Sequence, residues 1–141
     1  MERKAARIID ANLNRVREGL RVCEDICRFL YDLPAATQGY KRIRHAVTQS
    51  ARMFPVAEIV TARDVRGDIG RPTLAEETPR ETVYDIFYAN SQRVKESIRV
   101  LEEFAKLTDA KAAEPWKRMR YRVYLLEKDV VKVMQFPSRK R

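Results

Sequence analysis

Carboxylates, guanidinium groups and glycines crowd into one short segment, ARDVRGDIGRP, at residues 62–72. Its candidate site residues are Arg63, Asp64, Gly67, Asp68 and Gly70. Carboxylate oxygens are ligands that Mg²⁺ prefers, guanidinium groups bind phosphate oxygens in pairs, and glycines let a backbone approach a ligand closely. The segment is therefore a candidate site for magnesium-bound phosphates, although charged glycine loops without such a function have the same composition.

A second polar pattern occurs twice in the chain. The spacing N-x-x-R-x-x-E-x-x-R-x-x-E begins at Asn12 and again at Asn90. Residues 11–29 and 89–107 are identical at eight of nineteen positions, and residues 40–47 (YKRIRHAV) match 116–123 (WKRMRYRV) at an offset of 76. The chain therefore contains an internal repeat, because chance similarity between charged helices does not explain the recurrence of Asn, a mediocre helix former.

A helical wheel separates the repeated ladder into parts. At 100° per residue Asn12 lies inside the apolar face, Arg15 lies on its flank, and Glu18, Arg21 and Glu24 move round to the outer side. The second copy follows the same order, so on the wheel alone we expect Glu24 and its counterpart Glu102 on solvated faces, although in a bundle the outer face of one helix can still contact a third helix. An amide in an apolar seam needs partners. The two asparagines either bond each other across the seam or bind a ligand, and the pattern leaves both interpretations open.

Composition and periodicity predict the architecture that must hold these residues. The 141 residues are 45% apolar and include only four glycines, which favours an all-α protein. Helical periods over about 5–33, 37–54, 80–107 and 115–135 form two hairpins, about 5–54 and 80–135. We expect a pseudo-two-fold four-helix bundle in a single domain, 1–136, with the Gly/Asp loop between its halves and a basic tail or linker stump at 137–141.

Charge and missing motifs narrow the function. The net charge of +9 suggests anionic partners, which include nucleic acid, nucleotides, phosphorylated metabolites and acidic lipid. The sequence has no G-x-x-x-x-G-K-[ST], G-x-G-x-x-G or H-E-x-x-H motif. Cys23 and Cys27 are expected to be reduced, buried thiols, and the absence of a long apolar run predicts a soluble, cytoplasmic protein. For His45, a phosphate-facing and a structural role are equally compatible with the sequence.

Five blocks in one order carry a resemblance to a known family. They are IIDANLNRVREGLRVCEDICRF, KRIRHAV, ARDVRGDIG, ANSQRVKESIRVLEEFAKL and RYRVYLLEKDV. Together they resemble the small hydroxymethylpyrimidine-phosphate kinases of thiamin biosynthesis, which stand alone or are fused in front of thiamin-phosphate synthase and are not ribokinase-like. The resemblance implies phosphoryl transfer from ATP to 4-amino-5-hydroxymethyl-2-methylpyrimidine phosphate, giving the diphosphate.

We assign hypothetical roles within that chemistry, which needs charge stabilisation more than a general base because the acceptor is already a phosphate. Asp64 and Asp68 would bind Mg²⁺. The residues expected to hold phosphates are Arg15, Arg93, Arg63, Arg44, His45 and Arg120. Those expected to bind the pyrimidine or a phosphate from the seam are Asn12 and Asn90. Glu18 and Glu96 would orient the arginines. Glu24, Glu102 and Glu127 would form ion pairs or support the metal site from behind its ligands.

Two other functions remain compatible with the sequence. One is a non-catalytic regulatory or docking domain of a thiamin-phosphate synthase, which would make that synthase domain a partner. The other is a small basic helical nucleic-acid-binding protein, against which the interleaving of acidic with basic residues argues. The sequence is also compatible with a homo-oligomer, and it gives no reason to expect a membrane partner.

Overall fold

A computed structural model describes residues 2–72 and 79–136 of the chain. The described residues form five α-helices: α1 (Arg3–Asp25), α2 (Pro34–Ala51), α3 (Val56–Thr61), α4 (Val83–Ala105) and α5 (Glu114–Gln135). A π-helical turn, Ile26–Leu30, extends α1, and a 3₁₀ turn, Ala110–Ala113, leads into α5. No strand occurs among the described residues, so the predicted all-α bundle is confirmed. The predicted tail, 137–141, lies outside them.

Local chemistry explains where the helices begin. The Glu2 carboxylate accepts hydrogen bonds from the backbone N–H groups of Lys4 and Ala5, at 2.9 and 3.0 Å. At the start of α4, Thr82 and Asp85 form a reciprocal capping box. A proline stands in the first turn of both α2 and α5, where its missing N–H costs nothing. The predicted first helix was too long, because its regular α-helical part ends at Asp25, and α3 was not predicted.

The four long helices form the expected bundle. α1 packs against α4, α4 against α5, α5 against α2, and α2 against α1, while α3 packs on α1. The contact between α1 and α4 is close at Gly19, where a Cβ would lie 2.7 Å from Val94 Cγ2 and 3.1 Å from the carbonyl oxygen of Asn90. The repeat mates Tyr40 and Trp116 are both fully buried. Corresponding positions of the repeat therefore occupy corresponding places in the core.

Cys23 and Cys27 are buried and unpaired, as predicted. In the described part of the chain, no helix is both long enough and apolar enough to cross a membrane.

Candidate functional site

A polar groove lies between the N-terminal half of α1 and the loop that follows α3. We call it the loop groove; its volume is about 700 Å³. Its polar lining residues are Lys4, Arg7, Asp10, Asn12, Asn14, Arg15, Arg63, Asp64 and Asp68. The groove thus brings together five residues that the sequence singled out from two distant segments. It does not include Asn90 or Arg93, and its lining residue from α4 is Val100.

A two-pronged ion pair attaches the loop to α1. Arg63 donates from Nε to Asp10 Oδ2 and from Nη2 to Asp10 Oδ1, both at 2.7 Å. The hydrogen bonds to Asp10 raise the pKa of Arg63 above its ordinary value. Because Asp10 is almost fully buried and Arg63 is exposed, the pair fixes one end of the loop rather than stabilising the core. The pair with Asp10 thus uses two of the five guanidinium N–H groups of Arg63, the residue that the sequence analysis assigned to a phosphate.

The two aspartates of the loop each use one oxygen to shape a turn. Asp64 Oδ1 accepts from Gly67 N at 2.8 Å, and Asp68 Oδ1 accepts from Gly70 N at 2.9 Å. Their Oδ2 atoms have no hydrogen-bond partner in the described part of the chain. No group of three or more His, Cys, Asp or Glu side chains that could hold a metal occurs among residues 2–72 and 79–136. Mg²⁺ often binds through one or two carboxylates, with water and phosphate oxygens completing its shell, so the pair fits that ion.

The repeated asparagines do not bond each other. Asn12 donates from Nδ2 to the carbonyl oxygen of Ile8, and Asn90 donates in the same way to Ile86, both at 2.8 Å. Asn12 Oδ1 accepts from Arg15 Nη1 at 3.4 Å. Each Nδ2 group therefore donates within its own helix, and Asn12 is also linked to the arginine beside it in the loop groove.

The arginines at the second block of each repeat are held by buried carboxylates. Arg44 donates to both oxygens of Glu24, at 2.5 and 3.1 Å. Arg120 donates to both oxygens of Glu102, at 3.1 and 3.2 Å. The bonds to Glu24 raise the pKa of Arg44, and bonds to Tyr124 and then Glu102 raise that of Arg120.

The expectation of solvated faces for Glu24 and Glu102 is wrong. Each residue is only 3% exposed. The wheel treats a helix in isolation, whereas α2 covers the outer side of α1 and α5 covers that of α4. The ladder therefore ends in two buried ion pairs related by the repeat.

Two further grooves are also related by the repeat. The first repeat groove, between α1 and α2, has a volume of about 510 Å³ and is lined by Arg17, Glu18, Arg21, Arg44 and Thr48. The second repeat groove, between α4 and α5, has a volume of about 500 Å³ and is lined by Gln92, Lys95, Glu96, Arg99, Arg120 and Tyr124. Glu18 and Glu96, which were expected to orient arginines, line these grooves together with Arg44 and Arg120. Glu127 accepts from Lys95 at 2.9 Å, and His45 is exposed on α2.

Sequence reasoning missed several residues of these grooves. Asp10 was not a candidate, because only its pairing with Arg63, 53 positions away, reveals its role. Lys4 and Arg7 precede the repeated ladder, so the pattern did not mark them. Arg21 is a position of the ladder and Arg17 lies between two of its positions, but only the structure places both beside Arg44 in one groove.

Comparisons with known proteins identify the family. The ThiD2 family model matches residues 7–129. The chain is 42% identical over 123 residues to a protein named thiamine-phosphate synthase from Synechocystis sp., which covers 86% of this chain and 35% of the relative. Proteins of the same name from Nostoc punctiforme and Rhodopirellula baltica are 40% and 32% identical, over 89% and 86% of this chain and 35% and 33% of the relatives.

The matched region is only part of each relative. The chain spans about a third of the length of the curated relatives it matches. No solved structure matches it. The chain belongs to the ThiD2 family, which confirms the family resemblance seen in the sequence blocks.

Proposed function

We propose that this ThiD2-family chain acts in thiamin biosynthesis, as a kinase that transfers a phosphoryl group from ATP to 4-amino-5-hydroxymethyl-2-methylpyrimidine phosphate. The observation that carries the proposal is the loop groove. It combines two carboxylates that each keep an oxygen free with cationic side chains from α1. Such a combination suits a magnesium nucleotide better than it suits a neutral ligand.

Asp64 and Asp68 would hold Mg²⁺, which supplies charge neutralisation at the phosphates of the nucleotide when bound. The chain's own cations do the rest. Lys4, Arg7 and Arg15 line the groove and lower the repulsion between two anionic substrates. Asn12 keeps Arg15 in place through its Oδ1.

The reaction requires no strong base from the protein. An oxygen of the acceptor phosphate forms a bond to the γ-phosphorus of ATP, while the bond from that phosphorus to the β–γ bridging oxygen breaks and ADP leaves. The acceptor oxygen is already ionised near neutral pH, so positioning and charge stabilisation account for most of the catalysis. The two-pronged Asp10–Arg63 pair serves positioning, because it fixes the start of the loop that carries both aspartates.

The direct test mixes the purified chain with ATP, Mg²⁺ and the pyrimidine phosphate and follows the diphosphate by ³¹P NMR. We expect turnover by the natural chain and a loss of at least 100-fold in Asp64→Asn and Asp68→Asn, with helicity unchanged. Asp32→Asn is the matched control. Asp32 has a positive φ of 49°, which asparagine tolerates, so the same charge is removed without strain. No diphosphate from a folded natural chain would falsify the kinase proposal.

A second candidate is a non-catalytic regulatory or docking domain of a thiamine-phosphate synthase. The relatives' shared name favours it, and that name fits this candidate at least as well as the kinase. Its test uses the Synechocystis relative shortened by the third that this chain matches. If adding the chain restores synthase activity, and Asp64→Asn restores it equally well while no diphosphate forms, the docking role replaces the kinase.

A further inference from the structure

The two repeat grooves have the same plan but different electrostatics. Their lining positions correspond through the internal repeat as Arg17/Lys95, Glu18/Glu96, Arg21/Arg99, Arg44/Arg120 and Thr48/Tyr124. Three cations and one glutamate therefore line each groove. What distinguishes them is how far carboxylates behind the lining neutralise those cations.

In the second repeat groove every lining cation has a carboxylate partner. Lys95 contacts Glu127 at 2.9 Å. Arg99 contacts Glu102 at 2.7 Å and Glu103 at 3.1 Å. Arg120 also contacts Glu102, at 3.1 Å. This groove is therefore internally balanced.

In the first repeat groove, only Arg44 is paired, with Glu24. Arg17 and Arg21 are exposed and have no ion-pair partner among residues 2–72 and 79–136. The sequence explains the loss for Arg17, because the position that corresponds to Glu127 is Ala51. Two guanidinium groups one helical turn apart thus have no ion pair on the wall of a groove of about 510 Å³, whose one lining carboxylate is that of Glu18.

We propose that the first repeat groove binds a phosphate monoester, the dianionic group of the acceptor substrate; this rests on the proposed kinase function. Guanidinium groups bind such a group through paired hydrogen bonds. Glu24 engages Nε and Nη2 of Arg44 and fixes its guanidinium plane, which leaves Nη1 free for the ligand. The groove lacks a carboxylate pair like Asp64 and Asp68, so a metal-free phosphate suits it better than a magnesium nucleotide does.

The position of the groove along α1 supports this assignment. The loop groove reaches Arg15, and the first repeat groove begins at Arg17 and Glu18. From Arg15 to Glu18 the helix rises by about 4.5 Å. A nucleotide in the loop groove and a phosphate monoester in the first repeat groove would therefore lie against neighbouring turns of one helix.

The test uses matched double variants. Arg17→Gln/Arg21→Gln and its repeat counterpart Lys95→Gln/Arg99→Gln lower the net charge equally, so a loss of anion binding that depends on net charge alone is the same in both. The second variant also breaks the ion pairs with Glu127 and Glu102, so circular dichroism must show that it is folded. Calorimetric titration with the pyrimidine phosphate, at fixed salt and without ATP, should show at least tenfold weaker binding for the first variant and less than twofold for the second. Binding of a magnesium-loaded, non-hydrolysable ATP analogue should stay within twofold in the first variant. In the natural chain, the Nε–H resonances of Arg17 and Arg21 should shift with the pyrimidine phosphate.

Several outcomes overturn the assignment. They are unchanged affinity for the pyrimidine phosphate in the first variant, equal losses in both variants, a loss confined to the ATP analogue, and no binding by the natural chain. The kinase proposal fails separately. If the chain shows no turnover but binds the pyrimidine phosphate tightly through Arg17 and Arg21, the kinase proposal fails and the proposed phosphate site stands. If Arg17→Gln/Arg21→Gln shows normal turnover with an unchanged KM, the proposed phosphate site fails and the kinase proposal stands.

Discussion

Arg44 holds the buried carboxylate of Glu24 through two hydrogen bonds that join α2 to α1. The repeat builds the same relationship between Arg120 and Glu102, joining α5 to α4. Removing one partner of a buried pair leaves an uncompensated charge, so we expect Arg44→Ala to lower the free energy of unfolding by about 3–5 kcal/mol. Urea denaturation followed by circular dichroism measures the change.

The exposed pair Arg118–Glu114, with an N···O distance of 3.9 Å, supplies the control for that experiment. Arg118→Ala removes the same side chain from a solvated pair and should cost no more than about 1 kcal/mol. The combined replacement of Arg44 and Glu24 by Met and Leu should cost less than Arg44→Ala alone, because no charge stays buried. A loss of under 1 kcal/mol in Arg44→Ala would contradict the structural role of the pair.

The buried thiols predict how stability depends on alkaline pH. Burial, with a further contribution from Glu24, raises the pKa of Cys27 from its ordinary 9.0 to about 11. The folded state therefore keeps its proton where the unfolded state loses it. The stabilisation is fully present below pH 9.0 and is lost as the pH rises toward 11. We expect a fall of about 1.4 kcal/mol per pH unit from this thiol within that window.

Other groups also titrate above pH 9, so the measurement is a difference in slope. Urea unfolding of the natural chain and of Cys27→Ala at several pH values should show the shallower pH dependence in the variant. Equal slopes would show that the thiol ionises alike in both states. The same burial predicts that the folded chain resists thiol-modifying reagents at pH 8.

The repeat made most of the architecture predictable. Two copies of one ladder and one basic block indicated two equivalent hairpins, and the structure arranges α1–α2 and α4–α5 as a bundle. Periodicity did not reveal the π-helical turn Ile26–Leu30, which continues α1 and contacts α2, or the six residues of α3, which pack on α1.

The sequence predicted which segments contribute residues to the site but not which side chains pair with each other. The sequence indicated Asp64 and Asp68 from their composition, and Arg15 from its place in the ladder, and the structure places all three in the loop groove. It could not reveal that Arg63 binds Asp10, because that pair depends on how the loop packs across α1. A pattern describes one helix at a time, whereas ion pairs depend on the angle between elements.

Because α1 packs closely on α4, adding a methyl group at Gly19 should lower the stability of the protein. A Cβ there would lie 3.1 Å from the backbone oxygen of Asn90 and 2.7 Å from the stiff side chain of Val94. Alanine gains about 1 kcal/mol in helix propensity, but overpacking outweighs it, so we expect Gly19→Ala to destabilise by about 1–3 kcal/mol. Thermal and urea unfolding report the net change.

Gly39 in α2 is the matched control for that substitution. The three atoms nearest to its Cβ would all belong to the side chain of Leu126, the closest at 2.7 Å, and this flexible side chain is half-buried. Because the same gain in helix propensity applies, Gly39→Ala should stay within about 1 kcal/mol of the natural chain. Equal losses in the two variants would mean that the helix contact at Gly19 is not unusually tight.

The Asp10–Arg63 pair predicts local rather than global change. Arg63→Gln should speed amide hydrogen exchange in residues 64–71 while exchange in α1 stays unchanged, because the loop loses its attachment to the helix. Arg63→Lys should restore it only in part, since an ammonium cannot match the two-pronged geometry. Arg66→Gln removes the same charge from the same loop and should leave the amide exchange of the loop unaltered. Similar acceleration in both variants would argue against an attachment of the loop through the Asp10–Arg63 pair.

Replacing Gly67 by alanine should lower the affinity for metal without lowering the stability of the protein. A Cβ at this position would lie 2.9 Å from Asp64 Cγ and 3.1 Å from Oδ1, so Gly67→Ala forces the carboxylate to move. Broadening of loop amide resonances by Mn²⁺, used in place of Mg²⁺, should then require at least tenfold more metal. The loop is exposed, so the free energy of unfolding should change by no more than about 0.5 kcal/mol.

At Gly70 the nearest atom, Asp68 Oδ1, would be 3.5 Å away, an ordinary contact, and Gly70→Ala should weaken metal binding far less. If both alanine variants bind Mn²⁺ as the natural chain does, the loop carboxylates are not the metal ligands.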